Sequence, residues 1–442
     1  MPAGPSEPGA SPLPAGPRRA LAGDLVRRRL DNGLDVVLLP RPGLPLVAIN
    51  LWYHVGSKNE RPGRTGLAHL FEHMLFQGSE NVSTNGHFRH VQEVGGVANG
   101  STWFDRTNYF ETLPAHYLEL GLWLESDRMG FFLPGLDEEK LENQRQVVMN
   151  ERRERVDNQP YGRAFERLHE LLYPDGHPYG WPVIGYMDDV AAASLDEVRD
   201  FFATHYAPDN AVLTLAGDFE VEAAWDLVNA WFGPIPAAEA ARPGVSLPDA
   251  PPAGECRETL PDRVALTRIY RGWRVPVFGE ADWYAADLLA TILTGGRSSP
   301  LYEDLVRREE LAQDVSAFVL PTELEATFGV VATVRPGADP EAVEAVIDRH
   351  LERIHRGEVA EEELRRALNQ KASGLCAELE SLGSLADRLS MLATYHDDPA
   401  LIDHQMESYL AVGATELAGL VGRHLGVERR AVVVVVPEEP SS

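Results

Sequence analysis

The sequence predicts an α+β fold made of two halves with similar length and similar element order. Two observations carry this. Short apolar runs bounded by turn residues alternate with longer stretches whose apolar residues recur at helical spacing. The order of these elements then starts again after a Pro- and Ala-rich stretch near mid-chain, a duplication visible in pattern and not in residue identity. At 442 residues the chain exceeds the size at which one core stops growing, and 44% apolar residues supply enough material for two.

In chain order, residues 1–23 are expected to form a disordered arm, because their first part is Pro, Gly, Ala and Ser with no apolar core segment. Residues 36–39 and 46–53 read as strands separated by the turn material Arg41-Pro42-Gly43. Helical patterns follow at 66–76, 114–129 and 136–155, and a strand at 211–216 ends at Gly217-Asp218. These elements make up a first domain, 24–232. A linker is expected over 233–256. The second domain, 257–438, carries strands at 264–270 and 329–334, helices at 280–294, 340–356 and 361–382, and a last strand at 431–436.

A formal charge of −28 makes nucleic acid and anionic membrane poor partners, since phosphate binding relies on clustered Lys and Arg. Only Cys256 and Cys376 are present, too few for a disulfide framework. There is no run of 18 apolar residues. A soluble, cytoplasmic chain is the expectation.

The segment His69-Leu70-Phe71-Glu72-His73 carries the chemistry. Positions i, i+3 and i+4 share one helical face, so both imidazoles and the carboxylate point the same way. Zinc favours such nitrogen donors and, when catalytic, takes three protein groups and leaves a fourth position open. Glu72 is placed as the base for a water there. The pattern arises by chance in roughly one of twenty or thirty such chains, so context decides. Leu67, Leu70, Phe71, Met74, Leu75 and Phe76 make the segment apolar nearly all round, and a buried helix tolerates two histidines and a carboxylate poorly without a metal. The third ligand must come from elsewhere. The 136–155 helix offers Glu142, Glu151 and Glu154, among which chemistry alone does not choose.

The sequence resembles the inverzincin metallopeptidases, the family of pitrilysin, insulin-degrading enzyme and the mitochondrial processing peptidase. The resemblance runs from about residue 30 to 437. It is carried by Gly66-Leu67-Ala68-His69-Leu70-Phe71-Glu72-His73-Met74, Gly95-Gly96-Val97-Ala98-Asn99-Gly100-Ser101-Thr102 and Asn143-Gln144-Arg145-Gln146-Val147-Val148-Met149-Asn150-Glu151. It implies two homologous domains, each a mostly antiparallel sheet packed by helices, and one zinc ion per chain. It implies Glu151 as the third ligand, and it shows Gln144 where larger members carry a supporting glutamate, so the electrostatic support of the site differs from theirs. It further implies a peptide substrate added as a β-strand beside an edge strand at 98–109, with Asn99, Gly100, Ser101 and Thr102 in contact with it.

One departure matters. Active single-chain relatives hold the substrate carbonyl with an Arg and a Tyr seven residues apart in the C-terminal half. The matching positions here are Val306 and Gln313. Arg297, Tyr302, Arg307 and Arg308 lie close by as substitutes, but the simpler implication of the resemblance is a homologous partner subunit that supplies the pair in a heterodimer, with a homodimer as the alternative assembly. The function implied is a zinc endopeptidase for short or unfolded peptides in a closed chamber; the rival is a non-catalytic scaffold that keeps the fold.

Three other features read more plainly. His87 and His90 share a helical face but have no acidic residue between them, and are expected as ordinary surface or core histidines. His177-Pro178-Tyr179-Gly180-Trp181 reads as a packed loop. Gly295-Gly296-Arg297-Ser298-Ser299 lacks the lysine and spacing of a phosphate cradle and reads as a helix end.

Overall fold

A computed structural model describes residues 21–248 and 254–438. The expected N-terminal arm lies outside them except for residues 21–23, which begin a 3-10 turn, Leu21–Asp24, with Leu21 buried and its N–H donating to Asp403 Oδ1 at 3.0 Å.

The fold is α+β with two sheets. The first has six strands: β1 (Val26–Arg29), β2 (Asp35–Pro40), β3 (Leu46–Tyr53), β4 (Val97–Thr102), β5 (Thr107–Pro114) and β6 (Ala211–Gly217). Their spatial order is β1-β2-β6-β3-β5-β4, and β2 with β6 is the parallel pair. The second sheet has β7 (Cys256–Asp262), β8 (Arg268–Val275), β9 (Ala312–Leu320), β10 (Ala326–Val334) and β11 (Arg430–Pro437), in the order β7-β11-β8-β10-β9, with β7 and β11 parallel. Set beside one another, β2-β6-β3-β5-β4 and β7-β11-β8-β10-β9 follow one plan, down to the place of the parallel pair. The duplication is real in topology.

The helices that bear on the site are α1 (Leu67–Met74), α2 (Gly86–Glu93), α3 (Leu118–Phe131), α4 (Glu138–Arg152) and α5 (Ala164–Leu172). No helix among the described residues is long and apolar enough to cross a membrane.

Strands β2, β3 and β6 are apolar on both faces, the composition of strands covered on both sides. One face of the first sheet, with Val36, Leu38, Ile49, Leu51 and Leu213, packs against the helices of its own half. The other face, with Val37, Leu39, Ala48, Trp52 and Val212, joins the core of the second half. It is covered by the helix Leu382–His396 from the far end of the chain. Reciprocally, α5 from the first half lies on β11 and β8 of the second sheet. Leu168, Leu172 and Tyr173 meet Val433 and Val435 there.

A polar cluster fixes the two halves together. Buried Lys58 pairs with Glu323 and lies 3.4 Å from Asp105 Oδ1, while His54 Nε2 is 2.6 Å from Glu323 Oε2. Asp105 also accepts the Tyr179 hydroxyl at 2.6 Å and the Glu323 N–H at 3.0 Å. Burial raises the Glu323 pKa, but the His54 hydrogen bond and the charges of His54 and Lys58 outweigh it and hold the carboxyl at about 2. Trp181 donates to Ser57 O at 2.9 Å, so the His177–Trp181 segment is a packed loop.

Several sequence-based expectations need correction. The strand expected at 264–270 begins at Arg268, because residues 263–267 turn the chain from β7 into β8. The expected single strand 98–109 is a hairpin, β4 turning through Asp105 into β5, so Tyr109 lies on an interior strand. The helix expected over 361–382 breaks, and Ser381 caps a new helix by accepting the Ser384 N–H. The Gly295 reading stands: the helix Ala281–Thr294 ends there.

Candidate metal centre

Eight residues are too few for a helix to stand alone. Helix α1 forms because Leu67, Ala68, Leu70, Phe71 and Met74 are buried, and all but the alanine are of a size that contributes about 1.5–3 kcal/mol each when fully removed from water. The face left over carries His69, Glu72 and His73, half-buried along a cleft of about 480 Å³.

The start of α1 is held in three ways. Gly66 has φ +86°, a conformation that suits glycine, and a Cβ there would lie 2.8 Å from Ile184 O and 2.9 Å from Gly185 Cα. Glu60 accepts the N–H groups of Gly66 at 2.9 Å and Ala68 at 2.8 Å, two of the donors a helix start leaves unpaired. Asp189 accepts the N–H and hydroxyl of Thr65, at 3.1 and 2.7 Å. Burial pushes the Glu60 carboxyl up to about 8, against those two N–H donors, which favour its ionised form.

Glu151 arrives on α4. Its neighbour Arg152, buried, donates to Gly185 O at 2.8 Å and to both Glu166 oxygens at 2.8 and 3.0 Å. The turn that touches Gly66 therefore also grips α4. Both helices that carry the site are referenced to one piece of backbone.

Glu151 Oε2 lies 3.2 Å from His73 Nε2 and 3.8 Å from His69 Nε2. Its Oε1 accepts from Arg155 Nη1 at 2.6 Å, from the π-helical turn Arg153–Asp157 that follows α4. One donor atom from each of His69, His73 and Glu151 falls within 4.8 Å of the others. Burial, then the neighbouring His73, pushes the His69 pKa down to about 4, which keeps the imidazole neutral with a free lone pair. Its Nδ1 is buried with no hydrogen-bond partner among the described residues. The His73 hydrogen bond above all holds the Glu151 carboxyl below its ordinary range. Two imidazoles and a carboxylate form a donor set that fits zinc.

Glu72 shares the face of the two histidines. Burial pushes its pKa up, while the Thr102 hydroxyl donates to its Oε2 at 2.7 Å. Strand β4 comes this close because residue 100 is glycine: a Cβ there would lie 3.1 Å from Glu72 Cγ and 3.1 Å from Phe76 Cε2.

Glu142 and Glu154 are exposed, and Glu142 pairs with Arg145 at 2.8 Å. Among those three carboxylates, Glu151 is the one grouped with the histidines. Strand β4 pairs with β5 alone and forms the sheet's edge. Asn99 is exposed there. Ser101 is engaged: its hydroxyl donates to Asn108 Oδ1 at 2.7 Å, and Arg106 donates to its carbonyl at 2.8 Å. Sequence reasoning missed Glu60, Arg152 and Arg155, since no spacing rule links them to the motif.

A second His-carboxylate group, His87, Glu111 and Glu125, is wholly buried. The Arg128 guanidinium lies 2.6 and 2.9 Å from the His87 ring nitrogens and 3.2 Å from Glu125, so a cation already fills the space. Burial, then Arg128, pushes the His87 pKa well down. His87 is a core histidine, and His90 is half-buried with Glu93 3.9 Å away.

Residues 36–183 match the family model for insulinase, peptidase family M16, and residues 192–371 match the one described as the M16 inactive domain. Over 412 residues the chain is 30% identical to the zinc protease PqqE of Helicobacter pylori, covering 92% of each chain. The chain belongs to peptidase family M16. This M16 chain is also 25% identical to the uncharacterized zinc protease YmxG of Bacillus subtilis, over 93% of its own length and 98% of the relative. The crystal structure of a protease from Helicobacter pylori superposes with a TM-score of 0.88 at 29% identity, over 93% of this chain and 99% of that one. An M16 inactive-domain structure from Pseudomonas fluorescens shares the fold, with a TM-score of 0.83 at 18% identity, over 95% and 99%.

Proposed function

We propose that this M16 chain is a zinc-dependent endopeptidase for short or unfolded peptides, working in a chamber completed by a homologous subunit. The observation that carries the reading is the convergence of His69, His73 and Glu151 beside Glu72, at the free edge of β4. His69, His73 and Glu151 hold the ion. When bound, zinc polarises a carbonyl and lowers the pKa of water towards roughly 7. Glu72, aimed by the Thr102 hydroxyl, takes the proton of the attacking water and returns it to the leaving amine. Strand β4 pairs with the peptide main chain, which gives affinity without strict side-chain selection.

The oxyanion support comes from outside this chain. Val306 is buried and apolar, and Gln313 is exposed, so neither supplies the charge a developing oxyanion needs. A homologous partner bearing an Arg and a Tyr fits this gap. A second reading, a scaffold without catalysis, draws on the same two residues and on the inactive-domain match over 192–371. The complete donor set in the first half favours the peptidase.

Glu72→Gln separates the two. The peptidase reading expects about one zinc per chain to remain, with hydrolysis in the presence of the partner reduced about 10²- to 10⁴-fold. Loss of zinc in that variant, or no hydrolysis by the unmodified pair, overturns the role given to Glu72.

A further inference from the structure

The cleft that holds the proposed metal ligands has one basic side chain of the Lys or Arg type among its described lining residues, Arg155. Gln77, Asn85, Asn99 and Gln144 line it with uncharged amides, and Phe76 and Phe88 with stacked rings 4.3 Å apart. The Arg155 side chain is 76% exposed, and its ion pair is with Glu151 Oε1 at 2.6 Å. A guanidinium offers five N–H donors in a planar fork, so most of those on this residue at the cleft have no protein partner among the described residues and are open to solvent.

Charge counting gives that fork a purpose. The described lining of the cleft sets this one guanidinium beside two carboxyl groups, Glu72 and Glu151. A divalent ion held by Glu151 and the histidines would add positive charge beside Arg155. The chain as a whole carries −28, so this is a local positive spot on an anionic molecule. Long-range attraction does not bring an acidic ligand here; a short-range charged hydrogen bond retains it.

We propose that Arg155 determines specificity by binding a carboxylate of the substrate peptide, an acidic side chain or the C-terminus, near the bond to be cut. This rests on the peptidase reading. Arg155 acts on the part of the peptide that does not react, through the N–H donors that its pair with Glu151 does not use.

The test uses the zinc-loaded protein with its homologous partner and a capped, uncharged parent peptide. Derivatives carry one Asp at each of the three positions on either side of the cleaved bond, and another carries a free C-terminal carboxylate. One of these is expected to exceed the parent by about fivefold in kcat/KM, the upper range for an exposed charge pair. Which derivative does so distinguishes side chain from C-terminus. In Arg155→Gln the ratio falls to near one, and in Arg155→Glu it drops below one, while peptides with Lys in place of the Asp exceed the parent. Because each variant is compared with its own parent peptide, a general effect through Glu151 cancels, and metal analysis of each variant reports that effect separately. A ratio unchanged in Arg155→Gln, or no carboxylate preference at any position, overturns the proposal. Binding of the same peptides to the zinc-loaded Glu72→Gln protein gives the ratio without turnover. Carboxylate-dependent binding with no hydrolysis by the unmodified pair removes the peptidase reading alone.

Discussion

Removing the Glu60 carboxylate should loosen the metal centre from a residue that does not touch it. Glu60→Ala leaves the N–H groups of Gly66 and Ala68 without their acceptor, at 2.9 and 2.8 Å in the intact protein. Each such bond contributes about 1 kcal/mol net, and loss of a helix cap typically costs about 1 kcal/mol and up to about 2. A carboxyl held at about 8 against an ordinary 4.5 itself costs ~3 kcal/mol at pH 7, so its removal offsets this loss and the net change in global stability is small. The first turn of α1 contains His69, so the fraying falls on a ligand. The expected outcome is zinc affinity reduced about tenfold, the equivalent of ~1.4 kcal/mol, with little change in melting temperature. Calorimetry and competition with a chromogenic chelator read the two effects. An unchanged zinc affinity would refute the claim that Glu60 sets the position of the ligand-bearing turn.

Gly100→Ala places a methyl 3.1 Å from Glu72 Cγ and from Phe76 Cε2; hydrolysis should fall tenfold or more while zinc content holds, and equal activity would show that β4 has room to spare. Glu323 has its pKa held near 2 against an ordinary value of 4.5, so its stabilising effect is complete above pH 4.5 and is lost as pH falls towards 2. That loss is worth ~3 kcal/mol at most; urea unfolding between pH 5 and 2.5 should be steeper in pH for the natural protein than for Glu323→Gln, and parallel slopes count against the cluster. Stripping the metal with a chelator should lower the unfolding free energy by ~2.7 kcal/mol relative to free zinc at a hundred times its dissociation constant. The same treatment should leave His69→Ala unmoved, and a zinc response in that variant places the ion elsewhere.

Much of the secondary structure was legible because its signal is local. Residues 46–53 read as a strand and are β3, and the 66–76 pattern contains α1, since burial on one face repeats with the period of the element itself. The same rule failed where a polar turn interrupts an apolar run. Asp105 and Arg106 fold 98–109 into a hairpin, and the break before Ser381 divides the 361–382 pattern, because a turn is set by hydrogen bonds that composition does not display. Nor does composition show that the helix Leu382–His396 covers the first sheet, a contact more than 160 residues distant from β6 in sequence.

What the sequence by itself determined is the common direction of His69, Glu72 and His73, because side chains at i, i+3 and i+4 share a helical face whatever surrounds the helix. What only the tertiary structure decided is which carboxylate meets them. Glu142, Glu151 and Glu154 are equivalent as chemistry. The contact of Gly66 with Gly185, and the grip of Arg152 on that same turn, bring α4 against α1 so that Glu151 faces the imidazoles while Glu142 and Glu154 face solvent. Helical periodicity is a property of neighbouring residues. The meeting of two helices depends on close packing between segments far apart in the chain, which no local pattern encodes.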